Sequence, residues 1–403
     1  MIKGRDIIIV GIQPWDIQIG SNCKNIAAEF SKHNRVLYVN PPLDRITRLK
    51  SRKSERIQKR IAISKGHISD LEQLDENLWN LYPKTIIESI NWVSSPTLFN
   101  LLNRRNSKLF AANIKSAVDR LGFKDYLIFN DSSMFLGLHL KELLQPELYT
   151  YYVRDNLIQV PYWAKHGERL EPKTIASADV VVNNSEYYVE YSERYNSNSH
   201  MVGQGCDVSM FNDLNNDIPI ADEFNAIKSP VVGYVGSLTT LRLDIELLEY
   251  IAEQRPEWSV VLVGPEDEDF KISKLHQLSN VLFLGNKPMD ELPSYIKGFD
   301  VAINPQVINE ITIGNYPRKI DEYLAMGKPI VATRTKAMEM FDDHVYLGDS
   351  KQDYIALIEL ALKRYTKAKA ATQIKFACTH TWTNSVKDIY KAMEKTLNKT
   401  TWN

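Results

Sequence analysis

The chain has 403 residues, 44% of them hydrophobic, with 49 Lys/Arg against 50 Asp/Glu. Such a chain can bury two cores, and a net charge of −1 argues against nucleic acid as the main partner. Cys23, Cys206 and Cys378 are too scattered for a metal site or a disulfide framework, no apolar run approaches the ~18 residues of a membrane span, and MIKGRDIIIVGIQPWD lacks a signal-peptide pattern, so a cytoplasmic protein is expected.

Charge is uneven along the chain. Residues 1–200 carry 27 Lys/Arg and 22 Asp/Glu, a balance of +5, and the remainder a balance of −6. After a first strand in DIIIVG and the phrase NRVLYVNPP, the excess gathers in Asp44–Gly66, where Arg45, Arg48, Lys50, Arg52, Lys53, Arg56, Lys59, Arg60 and Lys65 face only Asp44 and Glu55. This is a solvated loop and helix, or a peripheral contact with an anionic membrane surface through Arg45–Lys65, with Ile46, Leu49, Ile57, Ile61 and Ile63 as a shallow apolar face. Ser95–Phe110 is a second mixed apolar and basic segment. YLIFND is an apolar strand ending on Asp131, and YVRDN places Asp155 after another apolar run. Apolar periodicity stops in QGCDVSMFNDLNND, Gln204–Asp217, which reads as a linker.

Beyond it, short apolar runs closed by Gly or Pro alternate with helical patterns: SPVVGYVGSLTT, WSVVLVGP, NVLFLGNKP, DVAINP. That alternation predicts βα units and a parallel sheet with its loops gathered at the strand C-termini. The most informative stretch is NYPRKIDEYLAMGKPIVAT, Asn315–Thr333. It predicts a helix, a left-handed stop at Gly327, and a buried strand. Arg318 and Lys319 fall in the first helical turn, where cations oppose the helix dipole. An anion held between them and the free backbone N–H groups would reconcile this; an Arg318–Glu322 i,i+4 pair on a solvated face is the plainer alternative. A last helix is predicted over Asn384–Leu397.

The order GYVGS, VLVGP, FLGNKP, PRKIDEYLAMGKPIVAT resembles the nucleotide-sugar domain of GT-B glycosyltransferases of the group 1 type. Upstream, DIIIVGIQPWDIQIGSN, NRVLYVNPP, ADVVVNNSEYYVE and MVGQGCDVSMF resemble enzymes of teichuronic-acid and exopolysaccharide assembly. The resemblance implies two Rossmann-like lobes with an interdomain cleft: an acceptor lobe over 1–205, joined by a crossover helix in 382–403, and a donor lobe over 206–381. It implies transfer of a sugar from a nucleotide-diphosphate sugar to a cell-surface glycan or lipid-linked acceptor, with retention preferred and no cofactor or metal. Lys319 matches the lysine that meets the diphosphate, with Arg318 in support, and Glu322 the glutamate that takes the ribose hydroxyls. Gly236 and Ser237 would let backbone approach the phosphates. Asn286, Lys287 and Pro288 would present backbone to the base, with Pro265, Asn315 and Tyr316 flanking the donor. Gly20 and Ser21 would face the same diphosphate.

Two departures leave alternatives open. Position 314 is Gly where the family carries a first glutamate, and Gly236-Ser237 stands where a Gly-Arg phrase is usual, with Arg242 a substitute one turn on. A same-fold sugar-nucleotide epimerase and a non-catalytic nucleotide-sugar-binding subunit therefore remain as second readings. Asp131 is the acid–base candidate, or a helix cap. Asp16 and Asp155 are acceptor-binding candidates, against turn chemistry. Tyr151, Tyr152, Tyr162 and Trp163 are stacking or core aromatics. Asp267-Glu268-Asp269 has the spacing of a metal-binding pair, but an acidic turn is the simpler reading.

Overall fold

The computed structural model describes residues 1–17, 21–213 and 217–400. The chain forms two compact units, Met1–Gly203 with Trp382–Asn403, and Gln204–Thr381. In the first unit the elements run β1 (Asp6–Gly11), α1 (Asn22–Ser31), β2 (Arg35–Val39), α2 (Arg45–Lys50), α3 (Glu55–Ser64), β3 (Leu71–Asp75), β4 (Leu78–Leu81), α4 (Pro96–Leu121), β5 (Leu127–Asp131), α5 (Leu140–Leu144), β6 (Leu148–Val153), α6 (Pro161–Ser177), β7 (Val180–Asn183), α7 (Glu186–Glu193) and β8 (Ser199–Met201). The sheet order is β3-β4-β2-β1-β5-β6-β7-β8, parallel except for the edge pair β3–β4.

Strand β1 is buried at every residue, as are β5, β6 and β7. Strands covered by helices on both faces carry continuous apolar runs rather than alternation, which is why DIIIVG and LYTYYV are legible as strands. Chemistry at the helix ends fixes their limits. Ser95 accepts from Leu98 N and Pro96 follows it, while Gly122 closes α4 at φ +63°. Strand order reverses between β1 and β5, so the loops after these strands flank the crevice where ligands of such sheets bind.

The second unit runs β9 (Val231–Val235), α8 (Ile245–Gln254), β10 (Ser259–Val263), α9 (Glu268–Lys271), β11 (Val281–Gly285), α10 (Leu292–Lys297), β12 (Val301–Asn304), α11 (Arg318–Ala325), β13 (Ile330–Thr333), β14 (Tyr346–Gly348), α12 (Lys351–Arg364) and α13 (Lys367–Ala377). Its sheet, β11-β10-β9-β12-β13-β14, is wholly parallel and reverses between β9 and β12. The loop from β12 leads into α11, so the first turn of that helix emerges beside the reversal. Contrary to the linker reading of Gln204–Asp217, Cys206, Val208 and Phe211 are buried in this unit's core.

The last helix, α14 (Trp382–Thr400), packs in the first unit. Trp382, Val386, Ile389, Tyr390 and Met393 join the core beneath β1 and β5. The Tyr390 ring stacks on Phe30 of α1 at 5.1 Å, and its hydroxyl accepts from Asn34 Nδ2 at 2.9 Å. Each unit is an α/β, Rossmann-like arrangement of mostly parallel strands and helices. No described helix is long and apolar enough to cross a membrane.

Candidate functional site

Helix α11 begins at Arg318 with Pro317 before it, and no side chain caps it. Ile320 N donates to Pro317 O at 2.9 Å, and the N–H groups of Arg318 and Lys319 are left without a side-chain cap. Lys319 Nζ lies over the Tyr234 ring, 4.7 Å from its centroid. Arg318 Nε is buried with no hydrogen-bond partner among the described residues. Glu322, one turn on, keeps part of its surface open yet lies deep among protein atoms. That burial raises its carboxyl above the ordinary range, and Arg318 and Lys319 pull it part of the way back. Two cations and a carboxylate thus gather on one helical turn with no salt bridge within 4 Å between them or to another described side chain.

The loop after β9 meets this turn. Gly236 has φ +143°, and a Cβ there would stand 2.9 Å from Tyr234 Oη and 3.2 Å from Lys319 Cε. Gly264, after β10, has φ +149°, and a Cβ there would sit 1.9 Å from Gly236 O. The two loops are pinned by Gly236 N→Val263 O at 2.9 Å and Leu238 N→Pro265 O at 2.8 Å. Both glycines are thus required by backbone conformation and by contact between strand ends, beyond any room they leave a ligand. Ser237 and Pro265 are exposed, Arg242 is exposed, and Asn315 is half-buried.

Opposite Glu322 on the helix is a pair that sequence reasoning missed. Asp321 is fully buried and bonded to His380 Nδ1 at 2.6 Å and to Tyr316 Oη at 2.8 Å. Burial raises its carboxyl, and His380 and Tyr316 oppose the rise. Tyr316, expected at the donor, instead turns inward, with its hydroxyl donating to Asp321. Tyr323, also unforeseen, accepts from Val235 N at 2.8 Å and ties α11 to the end of β9. The DE dipeptide at 321–322 was the available signal: neighbouring carboxylates on a helix face different surroundings.

Asn286 and Pro288 are exposed after β11. The Lys287 ammonium, however, is held by Glu223 at 2.8 Å and lies over Tyr295, so only its backbone is free for the role expected of it. Asp267 is a helix cap: it accepts from Phe270 N at 2.9 Å and from Thr240 N at 2.8 Å.

Three comparisons bear on this arrangement. Residues 229–363 match the family model for glycosyl transferases group 1. Over 219 residues the chain is 28% identical to TuaH of Bacillus subtilis (strain 168), named as a teichuronic acid biosynthesis glycosyltransferase; the match spans 52% of this chain and 54% of TuaH, about half the length of that relative. Anabaena Alr3699/HepE in complex with UDP superposes with a TM-score of 0.65 at 14% identity, over 97% of this chain and 100% of that one. Sucrose-phosphate synthase from Thermosynechococcus elongatus gives 0.66 at 15%, over 97% and 98%. The matched stretch takes in most of the second unit, from the start of β9 to the end of α12. Arg318, Lys319 and Glu322 all lie inside the stretch that matches.

The first unit brings together some of the residues expected in it. Asp131, at the end of β5, is fully buried and accepts from Arg154 Nε at 2.8 Å; Arg154 Nη1 donates to Asp155 at 2.6 Å. The structure makes no free acid of Asp131 and no cap: its carboxylate is one arm of an Asp131–Arg154–Asp155 chain. Asp16 Oδ1 and Ser21 Oγ are buried without a partner among the described residues, and both follow β1 beside the strand reversal. Gly20 lies outside the described residues. Tyr151 and Tyr152 are buried in the sheet, and His166 stacks on Phe99 at 3.6 Å, so these rings belong to the core.

The basic segment is only partly as expected. Arg45, Arg48, Lys50, Arg52, Lys53 and Arg56 are exposed, but Arg60 is buried and donates to Pro41 O at 2.5 Å. Lys59 is 3.8 Å from Glu72, and Arg45 3.0 Å from Glu88. Ile57 and Ile63 point into the protein, leaving Ile46 and Leu49 as the apolar outer face.

Proposed function

We propose that the protein is a glycosyltransferase that moves a sugar from a nucleotide-diphosphate sugar to a cell-surface glycan or lipid-linked acceptor, working in the cytoplasm at the inner face of the plasma membrane. The observation that carries the reading is the unpaired set Arg318, Lys319 and Glu322 at an uncapped helix start beside the Gly236 loop. Breaking the bond between sugar and diphosphate places negative charge on the diphosphate. Arg318, Lys319 and the first-turn N–H groups supply preorganised positive charge there. Glu322, ionised, accepts from the ribose hydroxyls. Because side-chain cations do this work and Asp267 is committed to capping α9, the reaction proceeds without a metal. Retention at the anomeric carbon rests on the family resemblance; Gly314 supplies no carboxylate, so backbone must serve where a first glutamate is usual. Asp16 supplies an open polar atom for the acceptor.

Calorimetric titration with UDP and UDP-sugars tests this, followed by turnover with and without EDTA. Donor binding in the micromolar range and EDTA-resistant turnover are expected. Absence of binding to any nucleotide sugar would refute the proposal, and loss of turnover restored by manganese would refute its metal-free form.

A further inference from the structure

The first unit contains a cavity of about 360 Å³ at the C-terminal ends of β1 and β2, within the ~300–1,000 Å³ typical of small-molecule sites. Ile87, Ile90, Phe99, Phe110, Phe135 and Trp163 are among its walls. At its rim Trp92 is 70%, Tyr162 57% and Ile46 43% exposed. Polar side chains of the wall are largely spent on the protein itself. Asn103 Nδ2 donates to Phe135 O at 2.8 Å, Asn106 Nδ2 to Glu88 O at 2.9 Å, and Asn91 Nδ2 to Tyr162 O at 2.8 Å. Asp44 accepts from Ile46 N and Thr47 N, each at 3.0 Å, and from the Ser89 hydroxyl. Asn91 Oδ1 is buried without a partner among the described residues, but a saccharide would still leave most of its hydroxyls unmatched here, whereas a hydrocarbon chain has none to match.

Across the short helix α2 lies a second cavity of opposite character, lined by Arg45, Arg48, Arg52 and Lys65 with Leu49 and Ile61, and by no acidic residue. Among the described residues Arg48, Arg52 and Lys65 have no carboxylate partner. The two cavities have no lining residue in common but adjoin: Ile46 and Thr47 line the apolar one and Arg45 and Arg48 the basic one, while Ile87 lines the first and Ile86 the second. An apolar slot next to three unpaired cations matches an amphiphile with a long chain and an anionic head. Arginine forks pair with phosphate oxygens two at a time, and a phosphate monoester can carry two negative charges where a carboxylate or sulfate monoester carries one, so three clustered cations favour a phosphate head.

We propose that this paired cavity binds a phosphate-bearing lipid, its alkyl or prenyl chain between Phe99, Phe135 and Trp163 and its phosphate on Arg48, Arg52 and Lys65. The inference rests on reading the first unit as the acceptor side, and it narrows the acceptor to a lipid-linked phosphate. Calorimetry with decyl phosphate below its micelle concentration tests it, with inorganic phosphate and decyl maltoside as the other arms. Each buried methylene favours binding by about fourfold, so decyl phosphate should bind at least ~100-fold more tightly than phosphate. Decyl maltoside should bind at least ~10-fold more weakly than decyl phosphate, because the arginine contacts are lost. Ile46→Asp, at a half-open rim position, and the double variant Arg48→Glu/Arg52→Glu, on an exposed surface, should each weaken decyl phosphate by roughly tenfold or more while UDP affinity stays unchanged. Decyl phosphate binding no tighter than phosphate, equal affinity for decyl maltoside, or wild-type affinity in both variants would overturn the proposal. Decyl phosphate binding in a protein that takes no nucleotide sugar would sustain it and count against the donor assignment alone.

Discussion

Replacing Lys319 with Ala separates the donor reading from the solvated-face alternative. In the protein itself the ammonium lies 4.7 Å from the centroid of the Tyr234 ring. A cation–π contact that is partly exposed contributes about 0.5–1 kcal/mol. In a unit of this size that is a fall of roughly 1–4 °C in melting temperature. If the same ammonium meets the donor diphosphate, its removal deletes a charge-assisted bond of about 1.5–3 kcal/mol. That corresponds to a loss of roughly 10- to 150-fold in donor affinity, so binding should suffer far more than folding. There is a second signature. Lys319 is one of the two cations that hold the Glu322 carboxyl down against burial. Without it that carboxyl rises further, and the pH below which donor affinity is lost, as Glu322 protonates, moves upward. Calorimetry with UDP across pH 5–8 and a thermal melt measure all three effects. A dissociation constant within about threefold of wild type, with no shift in the pH profile, would remove Lys319 from the site.

Glu171 is buried, and burial pushes its carboxyl up to about 7 against the hydroxyls of Tyr151 and Tyr191, which donate to it at 3.2 Å each. Between pH 4.5 and 7 the folded protein holds a proton that the unfolded chain has released, so stability falls as pH rises through this window, by roughly 3 kcal/mol in all. Glu171→Gln should remove that slope in melts from pH 5 to 8.5; parallel wild-type and variant curves would contradict the assignment. Asp131→Asn should destabilise the first unit by about 3 kcal/mol, because Arg154 keeps its charge but loses its buried partner; full stability with lost turnover would instead make Asp131 the catalytic acid. Four exposed cations, Arg48, Arg52, Lys53 and Arg56, should hold the protein on anionic but not neutral vesicles, each contributing about 1 kcal/mol within a Debye length of ~8 Å. Reversing all four should abolish sedimentation at physiological salt, and unchanged sedimentation would refute a membrane role.

The sheets and the helix stops were legible because they depend on neighbours in sequence. YLAMGKP announces a helix end, and Gly327 takes φ +60° with its N–H on Leu324 O. Continuous apolar runs announced strands buried on both faces. The side-chain partnerships that stayed hidden join residues far apart along the chain. Lys287 is captured by Glu223, 64 residues earlier, and Asp321 by His380, 59 residues later. Arg60 looks like any other cation of its basic run, and only the fold puts Pro41 O within its reach. Gly236 was read as a space for phosphate; the close approach of Gly264 to its carbonyl is a tertiary fact that no local pattern carries.

What separates scaffold from site in this protein is whether its buried charges are paired. At the end of β5, Asp131 and Arg154 are buried and bonded to each other; in α11, Asp321 is buried and bonded to His380 and Tyr316. A buried polar group left open costs about 1–3 kcal/mol, more if charged, and native structures leave few of them. Arg318 Nε, Asp16 Oδ1 and Ser21 Oγ are such groups beside the strand reversal of their own sheets, while others, such as Tyr188 Oη and Trp382 Nε1, lie elsewhere in the fold. Asp321 and Glu322 are adjacent on one helix, yet the first is satisfied within the unit and the second is not. The same sequence thus stabilises one face of α11 and leaves the other unsatisfied, the arrangement expected where a ligand completes the bonding.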